Sequence, residues 1–149
     1  MTLIAENRKA LSQYEFREKF EAGIKLLGPE VKSVRLGKVK LSGSYVKILG
    51  NQPRLVGMWI GVYPKAFEKH QLDPCRTRAL LLQRKEIAKL SGLDSQRGWA
   101  IVPLKIYFSD NLVKLEIGVG RHLKKRDRRE ILRRRDLDRQ VQRFLKDKS

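Results

Sequence analysis

Residues 99–119 of the chain read WAIVPLKIYFSDNLVKLEIGV. Apolar residues alternate through this stretch with a period of two, which is typical of strands with one buried face. The predicted buried faces carry Ala100, Val102, Leu104, Ile106 and Phe108 on the first strand and Val113, Leu115, Ile117 and Val119 on the second. Asp110-Asn111 between them is a turn signal, so the stretch predicts a β-hairpin of two long strands.

Three more strands are predicted upstream of this hairpin. Apolar residues alternate from Tyr14 to Leu26 in the same way, which predicts one half-buried strand. Strands are also predicted over Lys38–Leu49 and Arg54–Tyr63, joined by the turn signal Gly50-Asn51-Gln52-Pro53. Strand spacing favours a place for Trp59 in the core or on the sheet surface over a base-stacking role.

Two helices are predicted between the strands. Leu27, Val31 and Val34 have helical spacing, with Pro29 at the start and Gly37 just beyond the end. The second helix is predicted over Arg76–Leu90, because Asp73-Pro74 resembles a capped start and the segment is rich in helix-forming residues. In that helix Leu80, Leu81, Ile87 and Ala88 share one arc, and Ser91-Gly92 ends it.

Short strands with hairpin signals and two interspersed helices predict a mainly β fold with some α, a small, partly open barrel. The 149 residues, 41% of them hydrophobic, suffice for one domain with a core. We assign residues 1–120 to this barrel and residues 121–149 to a basic carboxyl-terminal tail.

The tail has 13 Lys or Arg against five Asp or Glu, a net charge of +8 within the +18 of the chain. It has no aromatic residue before Phe144, so we expect it to be disordered when free and ordered by a polyanion. Leu137, Val141, Phe144 and Leu145 nevertheless form one stripe at helical spacing. Nucleic acid phosphate is the favoured partner. A solvated helix face and an anionic membrane surface stay open as alternatives.

Several functional classes receive little support from the sequence. No apolar run approaches the ~20 residues needed to cross a bilayer, and the amino terminus has no secretion-signal pattern. The single cysteine, Cys75, excludes an internal disulfide, and we expect a cytoplasmic protein. His70 and His122 lack partners at metal-ligand spacing, and Gly118-Val119-Gly120 lacks the third glycine of a nucleotide-binding loop. We therefore expect no metal, no cofactor and no enzymatic activity.

Two alternatives of other classes remain open. One is an RNA-processing enzyme whose barrel presents Asp or Glu to a metal, and incubation with structured RNA and magnesium would reveal its cleavage. The other is a structural ribosomal protein, which would stay on translating ribosomes through a high-salt wash.

A series of short motifs runs from Asn7 to the end of the chain in a specific order. They are Glu18-Lys19-Phe20-Glu21-Ala22-Gly23, Glu30-Val31-Lys32-Ser33, Gly37-Lys38, Ser44-Tyr45-Val46, Asp73-Pro74-Cys75-Arg76-Thr77-Arg78, Leu80-Leu81-Leu82, Val102-Pro103-Leu104 and Ile117-Gly118-Val119. In this order and spacing they resemble small protein B, the bacterial family that binds transfer-messenger RNA (tmRNA, also called SsrA). The resemblance implies an oligonucleotide-binding-like β-barrel with flanking helices and a flexible tail.

The resemblance also implies a function. The protein is expected to bind the tRNA-like domain of tmRNA and deliver it to the empty A site of a stalled ribosome for trans-translation. The tail is expected to probe the vacant mRNA channel of the 70S ribosome, next to 16S rRNA at the decoding centre. Elongation factor Tu and alanyl-tRNA synthetase are implied as indirect partners through tmRNA, and the protein is expected to be a monomer.

Individual residues match the family pattern. Asn7, Glu21 and Leu81 match family residues tied to tmRNA binding. A role in contacting the RNA backbone is our inference from charge for five further residues, Arg8, Lys9, Lys38, Arg76 and Arg78.

In the tail, Asp127-Arg128-Arg129 matches a family motif expected at the decoding centre. The residues expected in the channel are Arg121, Lys124, Lys125, Arg126, Asp127, Arg128 and Arg129. The family usually has Gly-Lys-Lys where this chain has His122-Leu123-Lys124, so we expect a stiffer hinge into the tail.

Overall fold

The computed structural model of the chain describes residues 1–63, 73–94, 96, 98–123 and 125–148, with the backbone alone at 125–128, 130, 131, 147 and 148. The strands are β1 (Thr2–Glu6), β2 (Tyr14–Ile24), β3 (Val39–Lys40), β4 (Tyr45–Leu49), β5 (Gln52–Val56), β6 (Trp59–Ile60), β7 (Arg78–Leu81), β8 (Trp99–Ser109) and β9 (Leu112–His122). The helices are α1 (Arg8–Gln13), α2 (Gly28–Arg35), α3 (Arg84–Asp94) and α4 (Lys125–Lys148).

Seven of the strands form one antiparallel sheet in the order β1-β8-β9-β2-β7-β5-β4, and β3 pairs with β6 in a separate two-stranded sheet. Strand β4 lies at one edge, yet it contacts β8 near the other edge. The large sheet therefore curls over on itself without closing. This confirms the predicted class, a mainly β protein with helices around a partly open barrel.

Both hairpin turns are built from residues with positive φ. Asp110 and Asn111 have φ of 51° and 65°, and Gly50 and Asn51 have φ of 57° and 63°. Two consecutive positive φ values match the right-handed twist of the strands, which is why Asn, Asp and Gly are favoured at these positions. The predicted hairpin at 99–119 is confirmed. The other turn is shorter than predicted, because β5 already begins at Gln52.

Two β-bulges divide the predicted apolar faces. Strand β9 is regular, but the strands on either side of it have one extra residue each, Arg17 in β2 and Leu104 in β8. An extra residue switches the following side chains to the opposite face of the sheet. Ile106 and all four predicted residues of β9 thus face the main core, whereas Val102 and Leu104 pack under α1. The prediction that Ala100 to Phe108 share one face is wrong for this reason.

The predicted helix over Arg76–Leu90 is also wrong in its first half. Arg78–Leu81 forms β7, which fills the position between β2 and β5 in the sheet, and the helix α3 begins only at Arg84. Local helix propensity is weak compared with pairing to two strands that are distant in the sequence. The Asp73 carboxylate accepts from the Cys75 N–H at 2.9 Å, so it forms a local turn instead of a helix cap. Helix α3 then continues past Ser91-Gly92 to Asp94.

Other predicted elements need smaller adjustments. Helix α2 is confirmed, and Gly37 beyond its end has φ of 75°. The predicted strands over 38–49 and 54–63 are each interrupted, the first where the Ser44 hydroxyl bonds the Leu41 carbonyl and the second at Gly57 with φ of 84°. The sequence reasoning missed β1 and α1.

The tail forms the single helix α4, which contains the apolar stripe at 137–145 and starts earlier than the stripe does. The first two tail residues, Arg121 and His122, still belong to β9. Within the described ranges, no helix is long and apolar enough to cross a membrane.

Gly120 of β9 generates a stability prediction, for which Gly92 of α3 is the control. A Cβ on Gly120 would lie 2.5 Å from the backbone oxygen of Glu15, whereas a Cβ on Gly92 of α3 would meet nothing within 4 Å. We expect Gly120→Ala to lower the free energy of unfolding by about 1–3 kcal/mol, because the β2 backbone must shift. Gly92→Ala, its control, should raise the free energy by about 0.5–1 kcal/mol through helix propensity. Urea denaturation of both variants checks this, and equal effects would contradict it.

Candidate nucleic-acid interface

Glu21 lies on the outer face of β2, the face opposite the main core. Its Oε2 accepts a hydrogen bond from the hydroxyl of Tyr107 on β8 at 2.5 Å. Tyr107 is buried, and this burial, followed by the bond to the Glu21 carboxylate, raises the pKa of the phenol well above its usual range. The tyrosine therefore stays protonated as a donor and holds the Glu21 carboxylate in place. Glu21 itself is exposed and can accept from a further donor.

Leu81 lies beside Glu21 on the same outer face. It is opposite Gly23 in the β2–β7 pairing, and Gly23 is two residues from Glu21, so the two share a face. A Cβ built on Gly23 would be 3.3 Å from the Leu81 Cβ, and Leu81 keeps 53% of its surface exposed. On the other side of β2, Lys114 of β9 is opposite Gly23. Lys25, which is exposed, follows the end of β2. We name Glu21, Gly23, Lys25, Leu81 and Lys114 the Glu21–Leu81 surface.

Arg8 and Lys9 are exposed on α1, and Asn7 holds this helix in place. Asn7 is only 4% exposed, and its Oδ1 accepts from the Ala10 N–H at 3.2 Å, which caps the helix. Its Nδ2 donates to the Pro103 carbonyl of β8 at 2.9 Å. The amide of Asn7 is thus engaged inside the protein, and it acts on the surface through the position of α1.

The start of α1 and Glu21 are connected across the outer face of the sheet. Glu6, Lys105, Glu116 and Glu21 are register partners on four adjacent strands. Three strand spacings of about 4.8 Å place Glu6 roughly 14 Å from Glu21. Since Asn7 follows Glu6, Arg8 and Lys9 extend the same side of the molecule as the Glu21–Leu81 surface.

Arg76 and Arg78 converge on Glu30 at the start of α2. Nε of Arg76 donates to Glu30 Oε2 at 3.1 Å, and its Nη2 donates to Oε1. Nε of Arg78 donates to Oε2 at 2.8 Å, and the Leu27 N–H donates to Oε1 at 2.9 Å. Burial by itself raises the pKa of the Glu30 carboxyl, but the bonds from Arg76, Leu27 and Arg78 outweigh it, and the pKa is lowered from 4.5.

The structure corrects the inference that Arg78 contacts the RNA backbone. Its side chain is 0% exposed. Besides Glu30, it donates to the carbonyls of Met58 at 2.6 Å and Pro74 at 2.9 Å. These bonds engage the guanidinium within the protein, and no surface is left for a phosphate, so Arg78 is a structural residue. Arg76 keeps 29% of its side chain exposed and Lys38 is partly exposed, so both can still meet a partner.

The predicted tail residues lie in two different settings. Arg121 is in β9, where its Nη2 lies 3.2 Å from Glu15 Oε2, and Arg129 is exposed on α4. Lys124 and the side chains of Lys125, Arg126, Asp127 and Arg128 lie outside the described residues.

The root of the tail is anchored. Leu123 is 4% exposed and its N–H donates to the Gln13 carbonyl of α1 at 2.8 Å. The ring of His122 packs edge-on against Tyr14 with centroids 5.1 Å apart. Farther along α4, Nη1 of Arg135 donates to the Leu11 carbonyl at 3.0 Å. These contacts agree with the expected stiff hinge.

The predicted residues are thus brought together in three groups: Glu21 with Leu81, Asn7 with Arg8 and Lys9, and Arg76 with Arg78. Sequence reasoning missed Tyr107 and Glu30. The period-two pattern offered one signal, since it placed Tyr107 off the buried face of its strand. In the part of the chain that the structure describes, no group of three or more His, Cys, Asp or Glu side chains is placed to hold a metal ion.

Comparison with known proteins gives consistent matches. Residues 4–147 match the family model described as SmpB protein. The SsrA-binding protein of Microcystis aeruginosa is 46% identical over 144 residues, which cover 97% of this chain and 94% of that protein. The SsrA-binding protein of Caldanaerobacter subterraneus subsp. tengcongensis is 45% identical over 148 residues, with coverage of 98% and 92%.

A solved structure described as "tmRNA-SmpB: a journey to the center of the bacterial ribosome" is similar in fold. It superimposes with a TM-score of 0.68 at 41% identity, covering 81% of this chain and 85% of that chain. These matches confirm the resemblance drawn from the motifs.

The Glu30 cluster generates a prediction on stability and pH. Glu30→Gln leaves the buried Arg78 without a counter-charge, and we expect a loss of about 3–5 kcal/mol in the free energy of unfolding. The folded-state pKa of Glu30 is below its ordinary 4.5, so the stabilisation is complete above that pH and is lost as the pH falls through the lowered value. The difference in the free energy of unfolding between wild type and Glu30→Gln should therefore become smaller as the pH falls. Urea denaturation as a function of pH measures it.

The control is Glu18→Gln, which removes a carboxylate whose partner Lys89 is 56% exposed in its side chain. It should cost about 0–1 kcal/mol. Equal losses in the two variants, or a gap that does not change with pH, would contradict the assignment of Glu30.

Proposed function

The chain belongs to the SmpB protein family, and from this premise we propose that it is an RNA-binding adaptor of ribosome rescue. It binds the tRNA-like domain of tmRNA and delivers it to the A site of stalled ribosomes for trans-translation. The relatives reported above are named for the RNA they bind and not for a reaction. The adaptor therefore works by recognition and placement, without catalysis.

The observation that carries this proposal is the adjacency of Glu21 and Leu81 on one exposed face. A carboxylate cannot neutralise phosphate, so Glu21 accepts from base or ribose donors, such as an amino group or a 2′-hydroxyl. Leu81 offers an apolar contact next to it, and Lys25 and Lys114 supply positive charge at the rim. This combination suits folded RNA whose bases or riboses are accessible, which is what loops of a tRNA-like domain present.

The remaining predicted residues contribute affinity. Arg8 and Lys9 on α1, together with Lys38 and the exposed part of Arg76, neutralise backbone phosphates. Asn7 supports them indirectly by capping and anchoring α1, and Arg78 supports the β7 strand that presents Leu81. Specificity thus comes from Glu21 and Leu81, while the cations fix the position of the RNA.

The tail has the second role in the proposal. We assign Arg121, Lys124, Lys125, Arg126, Asp127, Arg128 and Arg129 to the decoding centre and the entrance of the mRNA channel. The helix over Lys125–Lys148 is the form that the tail adopts when RNA neutralises its charge, and an occupied channel would exclude it. Because the tail has a net positive charge, its entry into the channel depends on the negative charge of the RNA that lines it.

Further partners follow from the same proposal. Elongation factor Tu and alanyl-tRNA synthetase act on the charged tRNA-like domain, so this chain meets them through tmRNA. We propose that one copy of the chain acts as a monomer in the cytoplasm.

The Glu21–Leu81 surface generates a binding prediction. Glu21→Ala and Leu81→Ala should each weaken binding of the tRNA-like domain by about tenfold or more, since each removes a central contact. Leu49 of β4 is also 53% exposed, so Leu49→Ala is a matched control that should bind normally. Gel-shift titration at fixed salt measures the dissociation constants. Full binding by both site variants would refute the assigned surface.

The tail generates a separate prediction. Truncation after Leu123 keeps β9 and the buried root, so affinity for the tRNA-like domain should change little, whereas tagging of proteins on stalled ribosomes should be lost. Glu21→Ala should show the opposite pattern, in which binding of the tRNA-like domain is lost although the tail is intact. Comparing RNA binding with tagging in a reconstituted translation reaction checks both. Loss of tRNA-like domain binding on truncation would contradict this division of labour.

A further inference from the structure

The outer face of the small β3–β6 sheet carries an aromatic ring among lysines. Trp59 of β6 is the register partner of Lys40 on β3, and the Lys40 Nζ lies 5.3 Å from the centre of the indole ring. Val39 and Ile60, which point the other way, are buried in the main core. The small sheet therefore has one apolar inner face and one aromatic, basic outer face.

Gly61 leaves room for the indole of Trp59 beside this sheet. A Cβ on Gly61 would be 2.9 Å from Cη2 of Trp59 and 3.1 Å from the Cβ of Lys38. The edge of the ring therefore occupies the space at a residue that has no side chain, close to Lys38, and the Lys40 ammonium lies over the ring. Trp59 is only partly buried, so part of the ring remains open to solvent.

A second ring continues the surface. Tyr63 lies two residues beyond Gly61, and the Nζ of Lys32 on α2 lies 5.4 Å from the centre of its ring. Tyr63 is also partly exposed. Among the described residues near these rings, Glu30 is bonded to Arg76 and Arg78, and Asp73 accepts from the Cys75 N–H. The surface is therefore positive as well as aromatic.

We propose that this surface binds unpaired nucleotides of RNA, with a base stacked on Trp59 and phosphates held by Lys38 and Lys40. The Trp59 surface consists of Lys32, Lys38, Lys40, Trp59, Gly61 and Tyr63. Aromatic rings in a basic groove are the usual platform for single strands, because every base has a π face and the backbone is anionic. The contact of a lysine with an exposed ring is weaker than the stacking of a base on that ring. When a base stacks on Trp59, Lys40 therefore leaves the ring and binds a phosphate.

The inference rests on the proposed RNA-binding function, but it assigns a second contact. Glu21 and Leu81 lie on the seven-stranded sheet, whereas the Trp59 surface lies on the two-stranded sheet. Lys38, predicted from charge alone to contact RNA, belongs to this second surface. The sequence pattern favoured a place for Trp59 in the core or on the sheet surface over a base-stacking role, and this inference replaces that preference with a stacking role on the sheet surface.

Tryptophan fluorescence tests the inference in the full chain. The protein has two tryptophans, Trp59 and Trp99, so Trp99→Phe leaves Trp59 as the only reporter and Trp59→Phe leaves Trp99. Single-stranded octamers of uridylate or adenylate should quench Trp59 in the first variant in a saturable manner. The same octamers should leave Trp99 in the second variant unchanged, and an octamer RNA duplex should quench neither. Circular dichroism confirms that both variants are folded.

Two further variants make the result specific. Lys38→Ala with Lys40→Ala in the Trp99→Phe background should raise the dissociation constant and reduce the slope of log K against log salt by about 0.7 for each phosphate that is no longer neutralised. Leu49→Ala, which lies outside both surfaces, should quench as before in that background. Absence of quenching, or equal quenching by the duplex, overturns the inference. The proposed function is judged separately, by binding of the tRNA-like domain to the Glu21 and Leu81 variants.

Discussion

The buried ion cluster of Glu30 and Arg78 is the constraint on which the arrangement of the surfaces depends. Arg78 belongs to the seven-stranded sheet, and its guanidinium donates to the carbonyl of Met58, the residue directly before β6 of the two-stranded sheet. Glu30 places the start of α2 at the same point. A buried charge is costly unless it is paired and hydrogen-bonded, so this geometry is strongly enforced once the chain folds. It holds in fixed relation the strand that presents Leu81 and the small sheet that presents Trp59.

The bulges in β2 and β8 allow one face of the large sheet to hold helix α1 and the exposed residues Glu21 and Leu81. The bulges in β2 and β8 turn Phe16, Val102 and Leu104 outward, where they pack under α1 as a second, small core. Gly118 makes this possible, because a Cβ there would lie 2.7 Å from Phe16 and 2.8 Å from Leu104. Beyond the bulges the outer face carries Glu21 and Leu81, both exposed. Strand β2 thus packs under α1 at one end and carries part of the proposed Glu21–Leu81 surface at the other.

How far the sequence predicts this structure depends on the range of the interactions. The hairpin at Asp110-Asn111 and helix α2 are encoded by neighbouring residues, and the sequence predicts both. Strand β7 is not predictable in this way, since its residues favour a helix and only pairing with β2 and β5 makes it a strand. The same holds at the candidate site. Charge suggested that Arg78 faces RNA, but its burial depends on Glu30, which is 48 residues away in the chain. The family motifs contain both Glu21 and Leu81, but only the pairing of Leu81 with Gly23 in the sheet shows that the two lie on one face.

The start of the tail, at His122 and Leu123, packs against the body of the protein. A flexible junction would let a cationic segment sample many directions, and the entropy of that freedom would oppose entry into a narrow channel. Here β9 carries the chain to His122 without interruption, and Leu123 is buried against the base of α1. Farther along, Arg135 of α4 donates to the Leu11 carbonyl of α1, which also ties the tail helix to the body of the protein. If the body of the protein is held by RNA on its outer face, the same packing aims the tail. The edge-on contact of the His122 ring with Tyr14 adds to this anchoring.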